Sequence, residues 1–129
     1  MREILFKAKT ISGNWVNGLL ANKDDKWYIS NKAGSPFAYE VRPETLCQFT
    51  GLCDKNGKRI WENDILMAHL DDSYPEDVTY KTVEWGVAGW VAHEVNSVDR
   101  EYLDKFDTEH FEVVGNIFDN KELLQEERR

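Results

Sequence analysis

The chain has 129 residues, of which 41% are hydrophobic, 31% are charged and 12% are aromatic. This composition indicates a globular protein with an adequate core and excludes the disordered class. The net charge of −8 disfavours binding to nucleic acid and to anionic membranes, and no stretch approaches the ~20 apolar residues of a membrane span. The first residues lack the apolar core of a signal peptide. We therefore expect a cytoplasmic protein in which Cys47 and Cys53 are free thiols.

The first forty residues predict strands separated by polar turns. These segments are rich in aromatic and β-branched side chains, at a spacing that suits a sheet curling into a sandwich or barrel. Strands are expected over residues 3–9, 14–20, 26–30 and 37–41. Pro43 ends the fourth strand. We treat residues 1–129 as a single domain with a soft subdomain boundary near residues 42–45.

Two hairpins are predicted in the middle of the chain. Asn56-Gly57 lies between strands over residues 45–52 and 58–61, and the pair favours a primed turn because both residues tolerate positive φ. A strand over residues 65–70 follows. In the second hairpin, Gly86 to Gly89 would turn the chain between strands over residues 78–85 and 90–95. Trp85 and Trp90 would then meet as a cross-strand pair.

The last third of the chain predicts two short helices and one strand. The charged stretch 97–110 favours a short helix around Tyr102 to Phe106, and residues 111–118 favour the last strand. Asp119 or Asn120 is the expected N-cap of a C-terminal helix over residues 121–127.

No pattern in the sequence predicts a metal site, a cofactor or a catalytic group. Cys47 and Cys53 lack the close pair spacing of zinc ligands. The histidines are far apart, and no nucleophile motif accompanies them: His69, His93 and His110. We therefore expect a protein that is not an enzyme, although an unrecognised carboxylate site at Glu62 and Asp64 remains an alternative.

The candidate binding residues are aromatic and acidic. Five tryptophans in so short a chain are either core residues or part of a recognition surface. Asp64 is also expected to accept backbone N–H groups and to hold the turn before the strand at Ile65. The residues selected for a binding role are Trp61, Glu62, Asp64, Trp85 and Trp90.

Three segments carry a family resemblance. They are NWVNG at residues 14–18, QFTGLCDKNGKRIWENDI at residues 48–65 and EVVGNIFDNKELL at residues 112–124. In this order and spacing they resemble the YopX family of small phage and prophage proteins. Two positions depart from the family pattern: Asn63 stands at a usual Gly position, where positive φ is expected, and Lys121 stands at a usual Pro position.

The resemblance implies a fold that is mostly β, with one or two small SH3-like barrel subdomains and a short C-terminal helix. It also implies a phage or prophage origin, a bacterial host cytoplasm and a homo-oligomer. Because the family has no established biochemical role, we expect an accessory protein that binds a protein partner without catalysis. The alternatives are a nucleic-acid-binding SH3-like module, an acidic mimic of DNA, and an enzyme with a carboxylate site.

Overall fold

A computed structural model describes residues 4–30, 38–69, 73–74 and 76–124. In this part of the chain the fold is mostly β, as predicted, and its strands form two antiparallel sheets. The chain divides into two compact units, residues 1–51 and 52–129. The soft boundary expected near residues 42–45 stays a prediction. No helix in the described residues is long and apolar enough to cross a membrane.

The first unit is built from consecutive antiparallel strands, which lie in the order β4-β3-β2-β1-β5. Pro43–Thr45 forms a 3-10 helix before the last of them. The strands are β1 (Phe6–Lys9), β2 (Trp15–Lys23), β3 (Lys26–Ser30), β4 (Tyr39–Val41) and β5 (Cys47–Cys53). The core consists of Ala8, Ile29 and Val41, which are almost completely buried because alternate residues of each strand point to one face.

The end of β1 returns to β4 in the first unit. Thr10 and Val41 form an isolated β-bridge, and the N–H of Arg42 donates to the carbonyl of Lys9 at 2.8 Å. Neither sheet closes through a full strand pair within the described residues, so a closed barrel is not part of the observed fold.

The second unit contains the five-stranded sheet β10-β9-β8-β7-β11 and the short strand β6. Its elements are β6 (Arg59–Trp61), β7 (Asp64–His69), β8 (Val78–Trp85), β9 (Trp90–Glu94), β10 (Arg100–Tyr102), helix α1 (Lys105–His110), β11 (Glu112–Asn116) and a 3-10 helix (Lys121–Leu124). The buried core of this unit is Ile60, Leu66, Ala68, Val83 and Phe111.

The turn at Asn56-Gly57 differs from the predicted primed turn. Gly57 has φ 82°, but Asn56 is not among the residues with positive φ. The N–H of Gly57 donates to the Asp54 carbonyl at 2.9 Å, and the N–H of Asp54 donates to the Lys58 carbonyl at 2.7 Å. This is the three-residue hairpin loop, in which a left-handed glycine follows an ordinary turn. The Asp54 carboxylate favours it by accepting the N–H groups of Asn56 and Lys58.

The helix predicted around Tyr102 to Phe106 begins later than expected. Tyr102 belongs to β10, a strand that was not predicted, and α1 starts at Lys105. Asp104 is the N-cap: its carboxylate accepts the N–H of Asp107, whose own carboxylate accepts the N–H of Asp104. This reciprocal cap has Asp where the usual pattern has Glu or Gln, and it fixes the start of the helix.

The described part of the predicted C-terminal helix is a 3-10 helix. A single 3-10 segment covers Lys121–Leu124, and residues 125–127 lie outside the described part of the chain. The predicted strand ends also extend beyond the observed ones at Glu3, Phe37 and Leu70, which lie outside the described residues as well.

Candidate binding surface

Two of the selected residues, Trp61 and Asp64, are buried in the turn between β6 and β7. Their exposures are 7% and 2%, and Asp64 Oδ2 accepts the N–H of Trp61 at 2.8 Å. Between them Asn63 has φ 71°, so the positive φ expected at this position is confirmed. Glu62 is half-buried. The expected turn-holding bond of Asp64 is thus observed, and Trp61 and Asp64 are not available at the surface.

The other two selected residues form the predicted cross-strand pair. Trp85 lies directly opposite Trp90, and their ring centroids are 4.8 Å apart with an edge-to-face angle of 72°. Trp90 packs against the core of the second unit, whereas Trp85 is 59% exposed. Within the described residues, the buried Nε1 of Trp90 has no hydrogen-bond partner. The pair therefore fixes one exposed indole at the end of the β8–β9 hairpin.

The strand register divides the side chains of β8, β9 and β10 between two faces of the sheet. One face, which we call the core face, carries buried Val83 and Ala92. The opposite face, which we call the outer face, carries Glu84, Val91, His93, Arg100 and Tyr102.

A charged group occupies one part of the outer face. Glu84 accepts from Arg100 Nε at 3.3 Å and contacts His93 Nδ1 at 3.0 Å. Burial acts to raise the pKa of Glu84, but the bonds from His93 and Arg100 outweigh it and lower the pKa below its ordinary value. His93 Nε2 lies 2.7 Å from the Ser97 carbonyl. The His93 ring therefore has an oxygen neighbour at each of its two nitrogens.

An apolar pocket of about 300 Å³ lies beside this charged group. Its lining residues are Gly86, Val87, Val91, Arg100, Glu101 and Tyr102. Gly86 is required here because a Cβ would lie 2.5 Å from Val91 Cγ2. Val87 at the hairpin tip is fully exposed, and Tyr102 is 57% exposed. Trp85 does not line this pocket, because the register places it on the core face at the same end of the hairpin. We use the name hairpin surface for the exposed side chains on both faces of this end: Trp85, Val87, Arg100 and Tyr102.

Sequence reasoning found only Trp85 among the hairpin surface residues. The sequence predicts a helix at Tyr102 and a turn at Val87, and neither pattern indicates a binding residue. Val87 lies near Tyr102 only because β10 pairs with β9, and no local sequence pattern predicts that pairing. Arg100-Glu101-Tyr102 has no alternating pattern that would predict a strand.

Potential metal ligands do not cluster in the described residues. No group of three or more His, Cys, Asp or Glu in this part of the chain could hold a metal ion. Cys47 is buried and Cys53 is exposed, and both are free thiols, as expected. His110 stacks on Phe106 with 4.1 Å between ring centroids, and its Nδ1 lies 2.9 Å from the Phe106 carbonyl.

A second aromatic residue has cationic neighbours in the first unit. Lys7 Nζ lies 4.8 Å from the ring centroid of Trp15, and Lys9 Nζ lies 5.6 Å from it. Such contacts are favourable cation–π interactions. All three residues also have further interactions.

Comparisons with known proteins give a family and a fold. The family model described as YopX protein matches residues 7–125. The crystal structure of protein EF1440 from Enterococcus faecalis is similar with a TM-score of 0.61 and 20% sequence identity, covering 97% of this chain and 100% of that chain. At this identity the likeness shows the fold alone. No curated protein matches the chain.

Proposed function

The chain belongs to the YopX protein family, and from this premise we propose that it is a phage or prophage accessory protein that binds a protein partner. It acts without catalysis, in the cytoplasm of the bacterial host. The hairpin surface is the contact site, and Trp85 is its central residue. The single observation that carries this proposal is the exposed Trp85 ring, which Trp90 holds at the end of the hairpin whose tip carries the fully exposed Val87.

The physical argument is the cost of leaving these rings in water. Aromatic side chains bury large areas at small entropic cost, and tryptophan, tyrosine and arginine dominate the energy of protein interfaces. The hairpin surface contains all three residue types. Trp85 needs no rearrangement to bind because its edge-to-face contact already fixes the ring. The charged group around Glu84 would form a polar rim.

We also propose that the first unit is a small SH3-like barrel. The Thr10–Val41 bridge and the hydrogen bond from Arg42 N–H to the Lys9 carbonyl support this proposal, because they bring the first and fourth strands together. Closure of this kind removes open sheet edges, which otherwise promote aggregation.

Photo-crosslinking tests the proposed binding site. Benzoylphenylalanine is placed at Val87, and the full chain is produced in the bacterial host. We expect one discrete adduct with another protein, at least tenfold weaker when Trp85→Ala is added. The matched control places the same photoreactive residue at Ile11, which is also exposed but lies in the first unit.

The masses of the adducts decide between partners. An adduct of this chain with a different protein supports the proposal. An adduct of two copies of this chain would make the homo-oligomer the function of the surface and would contradict a heterologous partner. Equal adducts from Val87 and Ile11, or an adduct that Trp85→Ala leaves unchanged, would overturn the proposal.

A further inference from the structure

Strand β10 is an open edge of its sheet. It is outermost in the order β10-β9-β8-β7-β11 found in the described residues. The N–H of Leu103 donates to the Trp90 carbonyl at 2.9 Å, and the Asp99 carbonyl accepts the N–H of Glu94 at 3.3 Å. Because alternate residues of an antiparallel strand face its neighbour, the N–H and C=O groups of Arg100 and Tyr102 point away from β9.

We propose that β10 pairs with an extended segment of the protein partner, one in which apolar and cationic residues alternate. This inference rests on the proposed function and names the chemistry of the partner. Addition of a strand to an open edge gives affinity through backbone hydrogen bonds and specificity through alternate side chains. All three residues of β10 are exposed, and the strand contains neither proline nor a bulge that would block pairing.

The two faces of the sheet set the apolar half of the pattern. Residues of the added strand opposite Arg100 and Tyr102 would lie on the outer face, where the apolar pocket over Val91 begins. Side chains of an extended strand alternate between faces, so their neighbours must lie on the other face, with Glu101. An apolar residue at every second position therefore fits this edge.

The charges set the cationic half of the pattern. Glu94, Asp99 and Glu101 are exposed around the end of the sheet. Glu101 Oε1 lies 4.0 Å from Lys81 Nζ, and the Glu101 side chain remains 79% exposed. The nearby Arg100 is already bound to Glu84. Residues 52–129 carry nineteen acidic and nine basic side chains, so the surrounding field also attracts a basic segment. A lysine or arginine opposite Glu101 would form a favourable cross-strand pair.

A second copy of the chain fits this edge less well. Two-fold pairing centred on Glu101 would place two glutamates directly opposite, and pairing centred on Arg100 would place two arginines opposite. Pairing centred on Tyr102 would require Asp104, which lies past the end of β10 and caps α1. The charges therefore favour a different, basic partner.

Peptide titration followed by NMR tests the inference on the intact, isotope-labelled chain. The probe is acetyl-KVKVKVK-amide. The controls are its isomer KKKKVVV, which has the same charge but no alternation, and EVEVEVE, which has the opposite charge. We expect shifts at the amides of Arg100, Glu101, Tyr102 and Val87, and a Kd at least tenfold lower than that of KKKKVVV. EVEVEVE should produce no shift.

Two protein variants separate strand addition from simple charge attraction. Arg100→Pro removes an outward N–H that the sheet does not use, and Arg100→Ala removes the same side chain but keeps the N–H. We expect Arg100→Pro to weaken binding at least tenfold relative to Arg100→Ala. Glu101→Lys tests the proposed charge pair and leaves the backbone groups of β10 in place. We expect it to weaken binding of KVKVKVK at least tenfold relative to wild type.

Each result has a fixed meaning. Equal binding of the two isomers, shifts away from β10, or equal binding by Arg100→Pro and Arg100→Ala would overturn strand addition. If these occur while the Val87 cross-link to another protein persists, the inference fails and the proposed function stands. If the peptide binds as expected but no cross-link to a protein forms, the proposed function fails and β10 remains a peptide-binding edge.

Discussion

Asp54 shows how one buried carboxylate joins distant parts of the second unit. Its Oδ1 accepts the N–H groups of Asn56 and Lys58, and its Oδ2 accepts the N–H of Val113 at 2.8 Å. Burial acts to raise its pKa, but the three backbone donors and the nearby Lys58 outweigh that effect and lower the pKa. The acidic residue of the family segment therefore has a structural role in this chain.

We expect Asp54→Asn to lower the free energy of unfolding by about 1.5–3 kcal/mol at neutral pH, because an amide cannot accept all three bonds. A carboxyl group with a lowered folded pKa stabilises the fold above its unfolded pKa, and this contribution is lost as the pH falls through the folded pKa. The difference between wild type and variant should thus shrink in acid. Urea unfolding at about pH 6 and about pH 3 measures it.

The exposed Asp77 provides the control for this comparison. Asp77→Asn should change the free energy of unfolding by less than about 0.5 kcal/mol at either pH. A gap between wild type and Asp54→Asn that stays constant from pH 6 to pH 3 would contradict the role assigned to the carboxylate.

Asn63 adopts a left-handed conformation that most side chains avoid. Its φ is 71°, its N–H donates to the Val83 carbonyl, and its carbonyl accepts the N–H of Ile117. We expect Asn63→Val to cost about 1–2 kcal/mol of unfolding free energy, since a β-branched residue is strained there. Asn63→Gly should stay within about 0.5 kcal/mol of wild type. Thermal unfolding of the two variants checks this, and similar losses in both would show that the asparagine side chain matters instead.

Gly115 allows β11 to pack against the turn that follows it. A Cβ at this position would lie 2.9 Å from Asn120 Cβ and closer still to its side-chain amide. That amide oxygen accepts the N–H of Asn116 at 3.1 Å, so the Asn120 side chain cannot move without losing a bond. The Gly-Asn pair in the third family segment is therefore explained by packing between a strand and a turn.

We expect Gly115→Ala to lower the free energy of unfolding by about 1–3 kcal/mol through overpacking. A double-mutant cycle with Asn120→Gly tests the cause, because removal of the Asn120 side chain relieves the clash. In the Asn120→Gly background the alanine should cost at least about 1 kcal/mol less. Additive losses would mean that the contact with Asn120 is not the source of the instability.

The charge of the molecule as a whole is divided unevenly. Residues 1–51 carry seven basic and five acidic side chains, whereas residues 52–129 carry nine and nineteen. One acidic side chain of this unit, Asp107, is buried, and its Oδ1 lies 3.3 Å from Lys81 Nζ. Desolvation by burial raises the pKa of Asp107. Like charges repel within the unit, and dissolved salt screens that repulsion.

We therefore expect the Tm to rise by a few degrees when NaCl is increased from about 20 to about 300 mM at neutral pH. At about pH 5, close to the sequence pI of about 4.9, the same increase should have little effect because the net charge is near zero. Calorimetry at the two pH values checks this. A Tm that falls with salt at neutral pH would show that attractive ion pairs, and not repulsion, dominate.

Local patterns in the sequence predicted most of the strands, the Trp85–Trp90 pair and the bond from Asp64 to the Trp61 backbone, because each depends on residues only a few positions apart. The family also followed from the sequence, since its three segments retain residues such as Gly115, where the side chain of Asn120 leaves no room for a Cβ. The exact hairpin loop at Gly57 and the strand β10 could not be predicted from the sequence. The loop depends on the Asp54 carboxylate that accepts the N–H of Lys58, and β10 depends on its pairing with β9, so local propensity does not decide either.

Burial and surface composition required the three-dimensional contacts. Trp61 and Trp85 have the same side chain and each lies at the end of a strand, yet packing leaves the first 7% exposed and the second 59% exposed. The hairpin surface forms because β10 returns to β9 and places Tyr102 beside the turn at Val87. Such contacts join residues that are distant in the chain, and their free energy depends on which surfaces the whole fold buries, which a local pattern does not encode.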